Sequence, residues 1–95
     1  MINEINLIFD KSTTRLAGNP YGRSVFREQI EKAIKYDKKN VIVFPDNIER
    51  VASSFIQGMF AEIVEKIGYA GVIEHITLKA KTEELAKEMY EDLIY

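Results

Sequence analysis

The sequence predicts an α/β domain, a small mixed or mostly parallel sheet with three helices in β-α-β-α-β-α order, and three observations predict it. Apolar residues alternate with period two over Ile2 to Phe9, and the run Val41-Ile42-Val43-Phe44 is apolar without a break. Stripes of helical period follow the strand-like runs. Such alternation favours parallel neighbours joined by right-handed crossovers.

In the first strand Ile5, Leu7 and Phe9 share one face and Ile2 and Ile8 the other. Periodicity leaves its direction open, including an antiparallel or hairpin arrangement. Asp10 to Pro20 reads as a polar loop, because Ser12, Thr13, Thr14, Gly18, Asn19 and Pro20 all favour turns. From Tyr21 to Tyr36 the residues Phe26, Ile30, Ala33 and Ile34 recur at helical spacing, opposite Arg27, Glu28, Glu31 and Lys35. The run Val41 to Phe44 is apolar on both faces, as in a central strand covered on two sides, and Pro45 ends it.

Phe55, Ile56, Met59, Phe60, Ile63, Val64 and Ile67 then form a wide apolar stripe, with Gly68 as the stop. Val72 to Leu78 reads as the third strand, with Val72, Ile76 and Leu78 on one face. Thr82 has the chemistry of an N-cap followed by Glu83 and Glu84, and Leu85, Ala86, Met89, Tyr90 and Leu93 complete the third helix.

Ninety-five residues make a single domain, 1–95, whose apolar side chains are needed for one core, leaving little room for an enclosed active site. A hydrophobic fraction of 46% excludes a disordered chain. The absence of cysteine fits a reducing compartment, and Met1 to Asp10 lack the basic-then-apolar pattern of a signal peptide. No apolar run approaches the roughly 20 residues that span a bilayer. The expectation is a cytoplasmic protein with no membrane contact. A net charge of −2 and a pI near 5.4 argue against nucleic acid as a partner. Arg15, Arg23 and Arg27, and Lys35, Lys38 and Lys39, are the basic clusters that remain, and they read as solvated helix ends.

The pair Ser53-Ser54 at a strand-to-helix junction is the main candidate site. It supports two readings. In one, Ser54 and Gln57 form a capping box. In the other, the exposed helix N-terminus stabilises a phosphate on the serine, with Arg50 close by in sequence. His75 and Glu74 are neighbours in the expected third strand, so they point to opposite faces and do not converge on a metal or a substrate. Gly18 and Gly22 lack the spacing of a nucleotide-binding loop. No cofactor is expected.

Three segments carry a family resemblance: Gly22-Arg23-Ser24 opening a helix, Val41-Ile42-Val43-Phe44, and Val51-Ala52-Ser53-Ser54-Phe55 opening the next helix. Over Arg15 to Leu93 the chain resembles the STAS-like domain family of prokaryotes that carries a domain-of-unknown-function label (DUF4325), related to the STAS domains of bacterial anti-sigma factor antagonists. The resemblance implies a STAS-like fold and a non-enzymatic regulatory module. In the antagonists, a serine at the start of the corresponding helix is phosphorylated, which falls here on Ser54 or, second, Ser53. It also implies a protein partner, a histidine-kinase-like ATPase, a serine kinase or an anti-sigma-like regulator. That partner is expected to meet Arg50, Ser53, Ser54 and Gln57 beside the loop Asp46 to Glu49, together with Arg23, whose alternative role is structural. Two rivals stand beside this reading. One is an interaction domain without phosphorylation, motivated by Ala52, Phe55 and Ile56 around the serine pair. The other is a small anion- or nucleotide-binding domain using the loop Gly18 to Arg23.

Overall fold

The computed structural model describes residues 2–94. Its main sheet has three strands, β1 (Ile2–Asn6), β3 (Lys39–Val43) and β5 (Ile76–Lys79), in the order β1-β3-β5. All neighbours are parallel, which settles the direction of the first strand. Ile5, Ile42 and Leu78 lie side by side in the register, as do Glu4, Val41 and Thr77. A second, two-stranded parallel sheet joins β2 (Arg15–Leu16) to β4 (Arg50–Val51). Both short strands lie in stretches that the sequence assigns to loops. Two residues alternate only once, so no period marks them.

The helices are α1 (Asn19–Val25), α2 (Ser53–His75) and α3 (Glu83–Ile94). Because the chain advances across the main sheet in one direction, right-handed crossovers put α1 and α2 on the same face. Burial follows this geometry. Ile5, Leu7, Ile42, Phe44, Ile76 and Leu78 are buried, whereas Glu4, Asn6, Thr77 and Lys79 are exposed. The expectation that Val41 to Phe44 is covered on two sides is therefore corrected: Ile42 and Phe44 are buried, but Val41 and Val43 on the other face are only half-buried.

Pro20 sits in the first turn of α1, where its missing N–H costs nothing. The helix continues as a π-helical turn, Phe26–Ile30, closed by the Glu31 N–H on the Phe26 carbonyl at 2.8 Å, and this keeps both Phe26 and Ile30 buried. Regular helix thus ends before Tyr36. The turns that follow are held by the buried Asn40. Its Oδ1 accepts from the Lys35 N–H (2.9 Å) and Asn3 Nδ2 (2.7 Å), and its Nδ2 donates to the carbonyls of Lys35 (2.8 Å) and Lys38 (3.0 Å).

Gly68 breaks α2 as expected, with φ 70° and ψ 173°, but the chain resumes helix over 69–75. The third strand starts at Ile76, not Val72, and Val72 is buried as a helical residue. The spacing of four between Val72 and Ile76 fits a helix face as well as a strand face, so apolar pattern alone does not separate the two. In α3 the Thr82 Oγ1 accepts from the Leu85 N–H at 3.1 Å, the cap the sequence indicates, and Leu85, Met89 and Leu93 are buried at intervals of four.

Two tyrosines make the packing sensitive to alkali. Burial raises the Tyr36 pKa, helped by the negative charges of Glu62 and Glu31. Burial also raises that of Tyr90, whose hydroxyl donates to the Ile76 carbonyl, against hydrogen bonds at Leu78 and Thr77 that pull it down. A folded pKa above the ordinary 10.0 means that each phenol's contribution is complete below that pH and lost as pH rises through the folded value. Thermal melts are expected to fall steeply above pH 10, and Tyr36→Phe/Tyr90→Phe is expected to flatten that fall. An unchanged slope would contradict the assignment.

Candidate functional site

The junction between β4 and α2 is built from the short sheet upward. The Ala52 N–H bonds to the Leu16 carbonyl at 2.8 Å, extending the β2–β4 pairing by one step. Ala52 itself is extended (φ −72°, ψ 150°) and is the residue that caps α2, with no side-chain cap. The N–H groups of Phe55 and Ile56 both reach its carbonyl. Ser53 and Ser54 are therefore the first two helical residues, whose amides have no intrahelical acceptor.

This corrects the capping-box reading. Ser54 lies inside the helix, two residues past the capping position, so it cannot form the box with Gln57, and its Oγ instead accepts from the Gly18 N–H at 3.1 Å. A contact between residues 36 apart leaves no local sequence signal. Ser53, Ser54 and Gln57 are exposed, while Phe55 and Ile56 directly below are fully buried. Phe55 packs edge-on against Tyr21 (5.4 Å between centroids) and Phe9 (6.4 Å), which fixes the first turn of α2 to the segment after β1 and to α1.

The glycines of the first loop do other work than an anion cradle. Gly18 has φ 97° and gives its N–H to Ser54. Gly22 is buried against α2, where a Cβ would lie 2.7 Å from the Met59 nitrogen and closer still to the Phe55 carbonyl oxygen. Gly58 faces the Asn19 backbone in the same way. The two helices thus cross backbone to backbone.

Arg50 and Arg15 are register partners on β4 and β2. Together with Ala17, Ala52 and Glu88 they line an open cleft of about 340 Å³ beside the start of α2. The sequence places Arg50 at the site but gives Arg15 no such neighbour, since the pairing depends on the short strands. Arg23 goes to another place. Its Nε donates to Asn19 Oδ1 at 3.0 Å, and it shares a surface groove of about 300 Å³ with Gln57 and Tyr69. Ala52, just before the serine pair, lines the first hollow, and Gln57, one turn after it, lines the second. The loop Asp46 to Glu49 is tied in by Asn47 Nδ2 on the Thr13 carbonyl (2.7 Å) and by the Glu49 N–H on the Thr14 carbonyl (2.8 Å).

The remaining candidates are elsewhere. Arg27 approaches Glu62 at 3.9 Å on the surface. Glu74 and His75 close α2 and do not lie in a strand, which corrects the reason given for keeping them apart. The His75 Nδ1 is buried with no hydrogen-bond partner among the described residues. No helix among those residues is long and apolar enough to cross a membrane.

Comparison with known proteins fits this architecture. No match was found among curated proteins or among solved structures. A family model described as a STAS-like domain of unknown function (DUF4325) matches residues 24–86, from the end of α1 through the central strand and the serine pair into α3. That span is well over half of the chain and contains the β3-α2-β5 core, so the chain belongs to the STAS-like domain family of unknown function.

Proposed function

We propose that the domain is a non-enzymatic regulatory module that binds a protein partner at the start of α2 and is switched by phosphorylation of the serine pair, Ser54 first and Ser53 second. The observation that carries this reading is the exposure of both serines on the first turn of a long helix, next to the Arg15–Arg50 cleft. A phosphoryl group there adds about −1.5 to −2 charges at neutral pH and meets unpaired amides and the positive end of the helix dipole. Arginine forks bind carboxylate and phosphate alike. Arg15 and Arg50 therefore receive an acidic group of the partner in the unmodified state, and a phosphate on the pair competes for them. Gln57 and Arg23 extend the contact surface on the other side of the helix end.

The partner that STAS-like membership supports is an ATP-dependent serine kinase with a histidine-kinase-like ATPase fold. The division of apolar side chains supports a binding role over an enzymatic one. Phe55, Ile56, Met59, Phe60 and Ile63 are all spent on the core, and the hollows beside the serines are open surface clefts.

Capture of such an ATPase from host lysate on the immobilised domain tests the reading. Wild type is expected to retain it, and Ser54→Asp and Arg15→Ala/Arg50→Ala to lose at least about tenfold, the equivalent of about 1.4 kcal/mol. Equal capture by all three would overturn the assignment.

A further inference from the structure

The proposed switch leaves one face of the main sheet without a role. Both crossovers, α1 and α2, lie on the other side, and α3 comes to the β5 edge, where the Tyr90 hydroxyl meets Thr77. The face has an aliphatic centre in Val41 and Val43, and the two most exposed large apolar residues of the described chain, Ile8 (77% exposed) and Ile2 (66%), lie along its β1 side. Its two edges carry opposite charge, Glu4 on β1 and Lys79 on β5. Asn6 Nδ2 donates to Glu4 Oε1 at 3.1 Å, holding the carboxylate on this face.

We infer that the face is a self-association surface, covered by the same face of a second copy of the chain, with a two-fold axis running along the strands above β3. Charge selects both the occupant and the geometry. This axis sets β1 of one copy over β5 of the other, so Glu4 and Lys79 meet twice while Val41 and Val43 stack on their own equivalents at the centre. The alternative two-fold, running across the strands, sets β1 over β1 and β5 over β5, so Glu4 and Lys79 stay on opposite edges of the stack and do not meet. In register, Glu4 stands level with Thr77, and Lys79 lies two residues further, a step of about 6.6 Å that a lysine side chain spans. Lys39, at the start of β3, falls at the open end of the stack, where solvent screens it from its copy.

The patch is small. Three strands about 4.8 Å apart, two of five residues and one of four at about 3.3 Å each, cover on the order of 220 Å² of sheet. Interfaces of that size fall at the weak, transient end, so dimerisation is concentration-dependent and not obligate.

Sedimentation velocity on the purified full chain from about 1 μM to about 1 mM tests this. The dimer fraction is expected to rise with concentration. Glu4→Lys and Lys79→Glu are each expected to weaken it at least about tenfold, because like charges then face each other. The double variant Glu4→Lys/Lys79→Glu restores complementarity and is expected to return to the wild-type dissociation constant. Both positions are exposed, and matched melting curves establish that all four proteins are folded. A wild type that stays monomeric, single reversals without effect, or a double variant as weak as the singles would each overturn the proposal.

Discussion

Gly58→Ala is expected to lower the melting temperature by on the order of 10 °C, although helix propensity alone predicts the opposite sign. Alanine in a helix interior is favoured over glycine by up to about 1 kcal/mol. At Gly58, however, the added Cβ would sit 2.9 Å from the Asn19 carbonyl carbon and nearer still to its oxygen. Both are backbone atoms that no rotamer change can move aside. The helices must separate, and overpacking of this kind costs about 1–3 kcal/mol, sometimes more. A net loss of about 2 kcal/mol corresponds to roughly 8–16 °C in a domain of this size. Gly22→Ala is expected to behave alike, because its Cβ meets the Phe55 carbonyl and the Met59 nitrogen across the same crossing. Separation of α1 from α2 also moves Gly18 away from Ser54, so stability and the geometry of the serine pair are coupled. A melting temperature equal to or above wild type in either variant would contradict a backbone-to-backbone crossing.

Asn40→Leu is expected to cost about 3 kcal/mol in urea unfolding, since each buried polar group left unpaired costs about 1–3 kcal/mol. Asn40 is 1% exposed and serves the Lys35 N–H, the carbonyls of Lys35 and Lys38, and the Asn3 side chain. Leucine is close in volume but satisfies none of them. Asn40→Asp separates the acceptor role from the donor role. Its ionised carboxylate still accepts from the Lys35 N–H but faces the carbonyl oxygens of Lys35 and Lys38, so the variant is expected to be strongly destabilised at neutral pH. Protonation restores one donor, and part of the lost stability is expected to return in mild acid. A loss of under about 0.5 kcal/mol in the leucine variant, the range of an ordinary surface change, would show that the turn before β3 does not depend on this residue.

The legible parts of the fold are those with enough residues to show a period or a cap. The central strand around Ile42 and the stripe from Phe55 to Ile67 are long enough to declare themselves, and Thr82 caps α3 through the hydroxyl its residue type suggests. The parts that stay hidden depend on distant partners. Arg15–Leu16 and Arg50–Val51 are strands only because they pair with each other. Val72 and Ile76 are four apart, a spacing that suits a helix and a strand equally. Gly22 and Gly58 carry no local sign of their role, yet each is a contact point between helices. At the site, the serine pair and Arg50 are visible in the sequence. The Ser54–Gly18 hydrogen bond and the addition of Arg15 are visible only once the short sheet is formed.

Phosphate mapping tests the proposed switch most directly. The domain is incubated with ATP and host lysate, then examined by intact-mass and peptide mass spectrometry beside Ser54→Ala and Ser53→Ala/Ser54→Ala. A single phosphate is expected on the serine pair, reduced in the first variant, absent from the second, and accompanied by loss of the captured partner. Ser54 does not cap α2, so Ser54→Ala is also expected to stay folded and to lose no more than about 1 kcal/mol with its one hydrogen bond. An unmodified pair in a folded protein that still holds its partner, or a phosphate elsewhere on the chain, would contradict the switch.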